Sequence, residues 1–313
     1  EKMKKIILMV FTLILALTGC SSKTDSKPNQ INTKQEDSNK TKLLYNVSLG
    51  MKDHHKGDFN LLDLHDFTFE VQCKGNHLDY GILVFMDGYL QKYKIEDEIK
   101  DMNVLSLKDK ETKDFKIQIP EFKINKGSEH SIEFAGVLNP IPVDKLKEYK
   151  VNHSILPTSI MKVVSKDDDK YTAIEDKAME NIKKTQVTEA DLKEMNIKSL
   201  DDMGPRMQIS LFQNGKKIQN YINPDQKVEI KATGGYGEYN MYLFVDGHPY
   251  DSDNCYYSFE TTKGYFSSMT IDLPKQIKKY KNFFVVFAPK NTKNITNSVE
   301  QSDKLMIGSN PNA

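Results

Sequence analysis

An internal repeat is the feature that most constrains how this chain can fold. Residues 69–88, FEVQCKGNHLDYGILVFMDG, align without gaps to residues 228–247, VEIKATGGYGEYNMYLFVDG. The identical pairs are Glu70 and Glu229, Gly75 and Gly234, Tyr80 and Tyr239, Phe85 and Phe244, Asp87 and Asp246, and Gly88 and Gly247. Self-similarity at a fixed offset indicates that one structural unit occurs twice.

The similarity continues on both sides with small insertions and deletions. The matching segments are 46–49 with 208–211, 117–120 with 271–274, and 132–135 with 285–288. We therefore place the first repeat at 43–141, a connector at 142–205, the second repeat at 206–308 and a short tail at 309–313.

Each repeat has the sequence pattern of β-strands. Phe67, Phe69 and Val71 alternate with polar residues, which predicts a strand with one buried face. The nearly continuous apolar runs 80–86 and 239–245 predict central strands covered on both faces. Both runs end in Asp-Gly, a strong signal for a tight turn. Short strands separated by turns, over about 100 residues, predict an antiparallel sandwich that is immunoglobulin-like in architecture.

The connector 142–205 has a helical pattern instead. Ile174, Ala178 and Ile182 recur at helical spacing behind a capping residue, Thr172. A second helix is predicted behind Thr188, and within the first repeat only the segment 94–102 is compatible with a helix. The predicted fold is thus mostly β, with two tandem immunoglobulin-like sandwiches joined by a short helical connector.

The amino-terminal segment has the pattern of an export signal. Lys4 and Lys5 precede an uncharged run from residue 6 to 17, which is too short for a comfortable membrane span. The run is followed by Leu17, Thr18, Gly19 and Cys20, a motif that resembles the lipobox of bacterial lipoproteins. That resemblance implies removal of residues 1–19 and attachment of lipid to the sulfur of Cys20.

The segment after that cysteine is predicted to be a tether. Residues 20–42 are almost entirely polar, so they bury too little apolar surface to offset the entropy of ordering. Two acyl chains on Cys20 would hold the protein stably on a bilayer. We therefore expect an exported protein on the outer face of the cell membrane, with the membrane as one partner.

Composition argues against nucleic acid as a partner. Lysine and arginine together number 44, as do aspartate and glutamate, so no long-range field attracts polyanions. Arg206 is the only arginine, and the guanidinium group is the usual reader of bases and phosphates. Cys73 is predicted to be a buried small hydrophobe rather than a partner of Cys255.

Candidate binding residues are concentrated in the second repeat. Several oxygen ligands follow its central strand and form a candidate calcium site, namely Asp246, Asp251, Asp253 and Asn254, although a solvated turn is the preferred explanation. Loop tyrosines form a candidate recognition patch, namely Tyr236, Tyr250, Tyr256 and Tyr257, although packing over a core explains them too. The pair His54 and His55, the acids 167–169 and the scattered histidines, including His130, are interpreted as surface or structural residues.

Three functions follow from these features, in order of preference. The first is a lipid-anchored, non-enzymatic protein that binds or positions a protein or envelope partner through its loops, without a cofactor. The second is the solute-binding lipoprotein of a transporter, although such proteins usually alternate strands and helices. The third is an envelope hydrolase that uses a loop acid pair. It ranks last because the sequence contains no GxSxG motif and no phosphate-binding loop.

Overall fold

The structure is a computed structural model. The residues it describes are 45–52, 59–64, 66–75, 78–138, 140, 155–157, 161–166, 171–174, 182–203, 206–250, 256–273, 281–290 and 297–307. The chain divides into two units, 1–42 and 43–313, and every described residue belongs to the second.

Strands make up most of the described chain. The strands up to residue 174 are β1 (Tyr45–Met51), β2 (Phe59–Asn60), β3 (Asp66–Gly75), β4 (Leu78–Met86), β5 (Tyr89–Leu90), β6 (Tyr93–Ile95), β7 (Glu98–Lys100), β8 (Asn103–Leu107), β9 (Thr112–Gln118), β10 (Lys123–Ile124), β11 (Glu129–Leu138), β12 (Ile155–Pro157), β13 (Met161–Val164) and β14 (Thr172–Ala173). The later strands are β15 (Lys183–Gln186), β16 (Gln208–Gln213), β17 (Lys216–Lys217), β18 (Tyr221–Ile222), β19 (Val228–Thr233), β20 (Gly237–Val245), β21 (His248–Pro249), β22 (Tyr257–Thr261), β23 (Tyr265–Ile271), β24 (Lys281–Pro289), β25 (Glu300–Gln301) and β26 (Leu305–Ile307). The helical elements are α1 (Glu189–Glu194) and 3-10 turns at Leu61–Leu64 and Leu200–Met203.

The first set of strands forms a β-sandwich. Its sheets have the strand orders β1-β3-β9-β6-β7 and β2-β13-β11-β4-β5, with β12 beside β11 and β8 beside β4. Buried side chains from both sheets, such as Phe69 from one and Val84 from the other, share one apolar core. We call residues 45–174 the N-terminal sandwich. Full burial of each such side chain stabilises the fold by about 1.5–3 kcal/mol.

The second set forms another sandwich. Its sheets have the orders β15-β23-β19-β16-β17 and β18-β26-β24-β20-β21, with β22 beside β20 and β25 beside β24. Ile230 and Leu243 come from opposite sheets and share its core. We call residues 183–307 the C-terminal sandwich. Neighbouring strands are antiparallel except in the pairs β2–β13, β10–β14 and β18–β26.

The central strands are covered on both faces, as their apolar runs predict. In β4, Ile82 and Val84 face the core of the N-terminal sandwich. The alternate residues Leu83 and Phe85 face a different apolar layer, which contains residues of both sandwiches. Successive side chains of one strand point to opposite faces, so β4 contributes to two apolar cores.

The hydrogen-bond ladders agree with the alignment of the first strands. Leu49 pairs with Val71 in the ladder between β1 and β3. Leu211 pairs with Ile230 in the ladder between β16 and β19. Because residue 71 aligns with residue 230, segment 46–49 occupies the same place as segment 208–211.

The alignment of two downstream strands is wrong by two residues. Met86 pairs with Ile132, and the aligned Val245 pairs with Phe283, whereas the sequence matched Ile132 to residue 285. The ladders of β9 and β23 differ from their alignment in the same way. A shift of two residues leaves every side chain on its original face, so apolar alternation cannot detect it.

The segment 94–102 forms a hairpin rather than a helix. Strands β6 and β7 pair there around Glu96, whose φ is +63°. Tyr93 is fully buried, and its hydroxyl donates to the carbonyl of Ile82 at 2.6 Å. That tertiary anchor fixes β6 as a strand despite its helical spacing.

The helical connector is only partly present. Thr172 begins no helix, because it lies in β14, which pairs with β10, and its N–H donates to Phe122 at 2.8 Å. β12 and β13 extend the sheet of β11, because they pair with it. The rest of that first predicted helix, including Ala178, lies outside the described residues. The second is confirmed as α1, where Thr188 and Asp191 form a capping box. No helix in the described ranges is long and apolar enough to cross a membrane.

Candidate functional site

The predicted calcium ligand Asp246 is part of a turn. Asp246 and Gly247 have φ values of +51° and +75°, and they connect β20 to β21. The Oδ1 of Asp246 accepts the N–H of Asn282 at 2.8 Å, so one of its oxygens stabilises the turn. The other predicted ligands lie outside the described residues, namely Asp251, Asp253 and Asn254. Within the described ranges, no three His, Cys, Asp or Glu side chains group together in a way that could hold a metal ion.

The matching turn of the N-terminal sandwich holds a buried carboxylate. Asp87 is fully buried, and its Oδ1 accepts the N–H of Ser131 at 2.9 Å. Its Oδ2 lies 2.7 Å from Nδ1 of His130 and 3.3 Å from the N–H of Asn125. A carboxylate removed from water needs donors of this kind. Asp87 therefore joins its turn to β10 and β11.

His130 also contacts a serine, which gives Asp87, His130 and Ser165 the order of a hydrolase triad. The Nε2 of His130 lies 3.1 Å from Oγ of Ser165. The serine hydroxyl, however, donates to the carbonyl of Gly127 at 2.9 Å, and the same carbonyl lies 3.1 Å from Nε2. All three side chains are buried. The geometry therefore supports a structural role for these three residues and does not present Ser165 as a nucleophile.

The candidate tyrosine patch is not a single surface. Tyr256 is 4% exposed, so its prediction as a surface residue is wrong. Its ring meets that of Tyr89 edge to face at 5.4 Å and lies 6.0 Å from that of Tyr242. Tyr256 belongs to the apolar layer between the sandwiches. Its ring is buried there, whereas a recognition loop would expose it to solvent.

The other tyrosines of the patch differ in exposure. Tyr250 is 38% exposed and is the most accessible of the set. Tyr257 is half-buried and packs against the core of the C-terminal sandwich. Tyr236 is half-buried, and its hydroxyl lies 3.7 Å from the sulfur of Met203. Of the predicted patch, Tyr250 alone combines a loop position with high exposure.

A third assembly of buried apolar side chains lies between the two sandwiches. It is built from the outward faces of β4 and β11 on one side and of β20 and β24 on the other. Its buried members are Leu83, Phe85, Tyr89, Met102, Ala135, Val137, Tyr242, Phe244, Tyr256, Phe284, Val286, Ala288 and Val299. We call this layer the inter-sandwich interface. Its composition resembles a protein core, which is typical of a permanent contact.

Polar groups fix the register of the inter-sandwich interface at one end. The hydroxyl of Tyr242 donates to the carbonyl of Gly88 at 3.1 Å and accepts the N–H of Leu90 at 3.0 Å. The Nδ2 of Asn240 donates to the same carbonyl at 3.1 Å. A Cβ on Gly88 would lie 3.0 Å from the carbonyl oxygen of Pro289, and the φ of Gly88 is +78°. Glycine is therefore required at this close approach of the two sandwiches.

Two ionisable side chains also cross the inter-sandwich interface. Glu133, on β11, accepts the N–H of Val299 at 2.8 Å, and Lys304 donates to the carbonyl of Leu138. Burial raises the pKa of Glu133 to about 8 and lowers the pKa of Lys304 to about 7. Burial also raises the pKa of the nearby Glu300 to about 7. Perturbed groups of this kind mark positions where charge and structure are coupled.

The remaining predicted residues are divided between the described part and the rest. Cys73 is buried, as expected, and His248 is exposed. The others lie outside the described residues, namely Leu17, Thr18, Gly19, Cys20, His54, His55, Cys255 and residues 167–169.

No protein-family model and no curated protein matches this sequence. Among solved structures, the Salmonella enterica SafA pilin in complex with the SafB chaperone is 10% identical, with a TM-score of 0.26 over 85% of this chain and 97% of that chain. The fibronectin(III)-like modules of Clostridium thermocellum CbhA are 9% identical, with a TM-score of 0.20 over 83% and 93%. The E. coli chaperone DraB is 12% identical, with a TM-score of 0.24 over 83% and 96%. Similarity at this level carries no argument about function.

Proposed function

We propose that this chain is a lipid-anchored, extracytoplasmic and non-enzymatic protein that binds or positions a protein or envelope partner. The observation that carries this proposal is the inter-sandwich interface, whose core-like burial joins two sandwiches into one body. A body of this kind holds the loops of both sandwiches at fixed positions, which suits presentation of a binding surface. Loops on a rigid scaffold are the usual location of recognition residues.

The proposal includes descent of the two sandwiches from one unit. β16, β19 and β23 adjoin in the same order as β1, β3 and β9, and β24 and β20 adjoin as β11 and β4 do. The turns after β4 and β20 both have an Asp at φ +51° followed by a Gly at positive φ. Shared strand order together with a shared turn supports a tandem repeat of an immunoglobulin-like domain.

The location of the protein is proposed from the amino-terminal sequence. Leu17, Thr18, Gly19 and Cys20 match the pattern that directs lipid attachment, and residues 20–42 are a polar tether. The membrane is then the first partner, through the lipid on Cys20. The second is a protein or envelope component, and no cofactor is needed for this role.

Lipid attachment is tested by labelling cells that express the chain with an alkyne analogue of palmitate. We expect label on the wild-type protein and none on Cys20→Ala. Cys73→Ala is the matched control and should keep the label, because Cys73 is buried within the N-terminal sandwich. Equal labelling of wild type and Cys20→Ala would contradict the anchor.

Partner binding is tested separately by cross-linking intact cells and identifying what co-purifies. A Tyr250→Ala variant should lose a partner that docks on the exposed loop, whereas Tyr265→Ala, which changes an equally exposed tyrosine on β23, should keep it. Failure of both variants to change any cross-link would remove Tyr250 from the proposed surface. Recovery of no specific partner would contradict the binding role.

A further inference from the structure

Two ionisable side chains cross the inter-sandwich interface in opposite directions. Glu133 belongs to the N-terminal sandwich and reaches the backbone of Val299 in the C-terminal sandwich. Lys304 belongs to the C-terminal sandwich and reaches the backbone of Leu138 in the N-terminal sandwich. Glu133 and Lys304 are only 4% and 6% exposed. Separation of the sandwiches would therefore return both groups to water.

The surroundings of Glu133 disfavour its charge. Burial is the main cause, the N–H of Val299 offsets only part of it, and Glu300 on β25 adds a like charge nearby. Tyr239 on β20 also lies within electrostatic range of both carboxyls. Arg206 attracts Glu300, and the ring of Phe284 lies 5.7 Å from the Nζ of Lys304. A carboxyl in such a setting is more stable protonated.

We propose that the inter-sandwich interface is a proton-operated clasp, which holds the sandwiches tightly while Glu133 is protonated and loosens when Glu133 ionises. The protonated carboxyl keeps its acceptor oxygen on Val299 without placing a net charge in the apolar layer. Ionisation places that charge beside Glu300 in a site with little water, and opening of the interface relieves it.

The direction of the pH effect follows from the pKa of Glu133 in the two states. The pKa is about 8 when the interface is closed and 4.5 when the group is solvated. Between those values the closed state binds the proton and the open state does not, so the closed state weakens by about tenfold for each pH unit of increase. Glu300, with a pKa of about 7 in the closed state, acts in the same direction.

Lys304 produces the opposite trend at higher pH. Its pKa is about 7 in the closed state and 10.5 when solvated, so the open state binds the proton between those values. The closed state therefore gains stability as pH rises through that range. The interface should be weakest near pH 7 to 8, where the two trends meet, and stronger on either side.

The acid limb is tested by hydrogen–deuterium exchange of the purified chain at about pH 5.5 and about pH 7.5, with labelling times matched for intrinsic exchange. We expect amides of 297–305 and 133–138 to open more often at the higher pH, by about 100-fold from the ionisation of Glu133 alone. Amides of β3, which lies in the other sheet of its sandwich, should show no comparable change.

Glu133→Gln should remove the roughly 100-fold part of this pH effect that Glu133 supplies and leave only the smaller part from Glu300, because glutamine keeps an acceptor for Val299 but cannot ionise. Glu129→Gln, an exposed carboxyl on the same strand, is the matched control and should retain it. A wild-type interface without the pH effect, or a Glu133→Gln interface that keeps it undiminished, would overturn the proposal.

Lys304→Met provides a second variant in case Glu133→Gln does not fold. Methionine keeps an apolar side chain beside Phe284 but cannot be protonated, so the rise in stability from about pH 8 to about pH 10 should disappear. Urea unfolding at those pH values measures this limb. If stability still rose by the same amount in Lys304→Met, Lys304 would have no part in the pH response of the inter-sandwich interface.

Discussion

Replacement of Asp87 by asparagine tests the buried cluster most directly. The carboxylate accepts N–H groups of Ser131 and Asn125 and contacts Nδ1 of His130. Asparagine tolerates the φ of +51° at this position, so the turn itself should survive. One of the two oxygens, however, becomes an NH₂ group that faces buried donors.

The magnitude follows from what each oxygen accepts. A hydrogen bond to a charged group contributes about 1.5–3 kcal/mol, and a buried donor left unsatisfied costs about 1–3 kcal/mol. We therefore expect Asp87→Asn to lower the free energy of unfolding by about 3–5 kcal/mol, which is a large fraction of the stability of a typical domain. Urea titration followed by circular dichroism measures it, since the chain contains no tryptophan.

Asp246→Asn is the matched control for this prediction. Asp246 occupies the same turn position with the same φ, but it is only half-buried. Its asparagine variant keeps an acceptor for Asn282, so we expect a loss of less than about 1 kcal/mol. Equal losses in the two variants would refute the argument that His130 and the buried donors make Asp87 different.

Two further substitutions probe the interface and a core. Tyr242→Phe removes the hydroxyl shared by Gly88 and Leu90, and the free energy of unfolding should fall by about 1–3 kcal/mol in urea titrations. Gly136→Ala introduces a Cβ that overlaps the ring of Tyr80 in the N-terminal core. Overpacking of this kind should cost about 1–3 kcal/mol and lower the melting temperature by several degrees.

Each of these substitutions has a control at a residue of the same type. Tyr239→Phe removes a hydroxyl that contacts Gly235 within the C-terminal sandwich, so it should leave protection of the inter-sandwich interface unchanged. Gly50→Ala places its Cβ in open space and should be nearly neutral. A Tyr242→Phe variant as stable as wild type, or a Gly136→Ala variant as stable as Gly50→Ala, would contradict the described packing.

The strands of the fold could be predicted because their patterns are local. The run from Tyr80 to Met86 indicates a strand with two covered faces, and both cores that cover it are present. The ladder partner of Ile132 could not be predicted, because a two-residue slip preserves every face. Tyr93 shows the other limit, since its contacts with Ile82 and Asn103 and the pairing of β6 with β7, rather than local spacing, make this segment a strand.

The buried cluster of Asp87, His130 and Ser165 was harder to predict because its members are distant in sequence. Asp87 is recognisable as a turn residue, but its contact with His130 spans 43 residues and that of His130 with Ser165 spans 35. No spacing rule connects residues so far apart. The sequence leaves two interpretations of Tyr256 open, because a tyrosine in an exposed loop and a tyrosine in a buried interface have the same local sequence; its burial decides for the second.

The apolar layer that joins the sandwiches also limits how this chain could have evolved. Immunoglobulin-like domains often fold independently, so a protein can lose, gain or reorder them. Here each sandwich covers an apolar face of the other, so deletion of either one would expose a large apolar surface and promote aggregation. A substitution on the shared face of one sandwich must therefore remain compatible with the other, so natural selection acts on the two halves together.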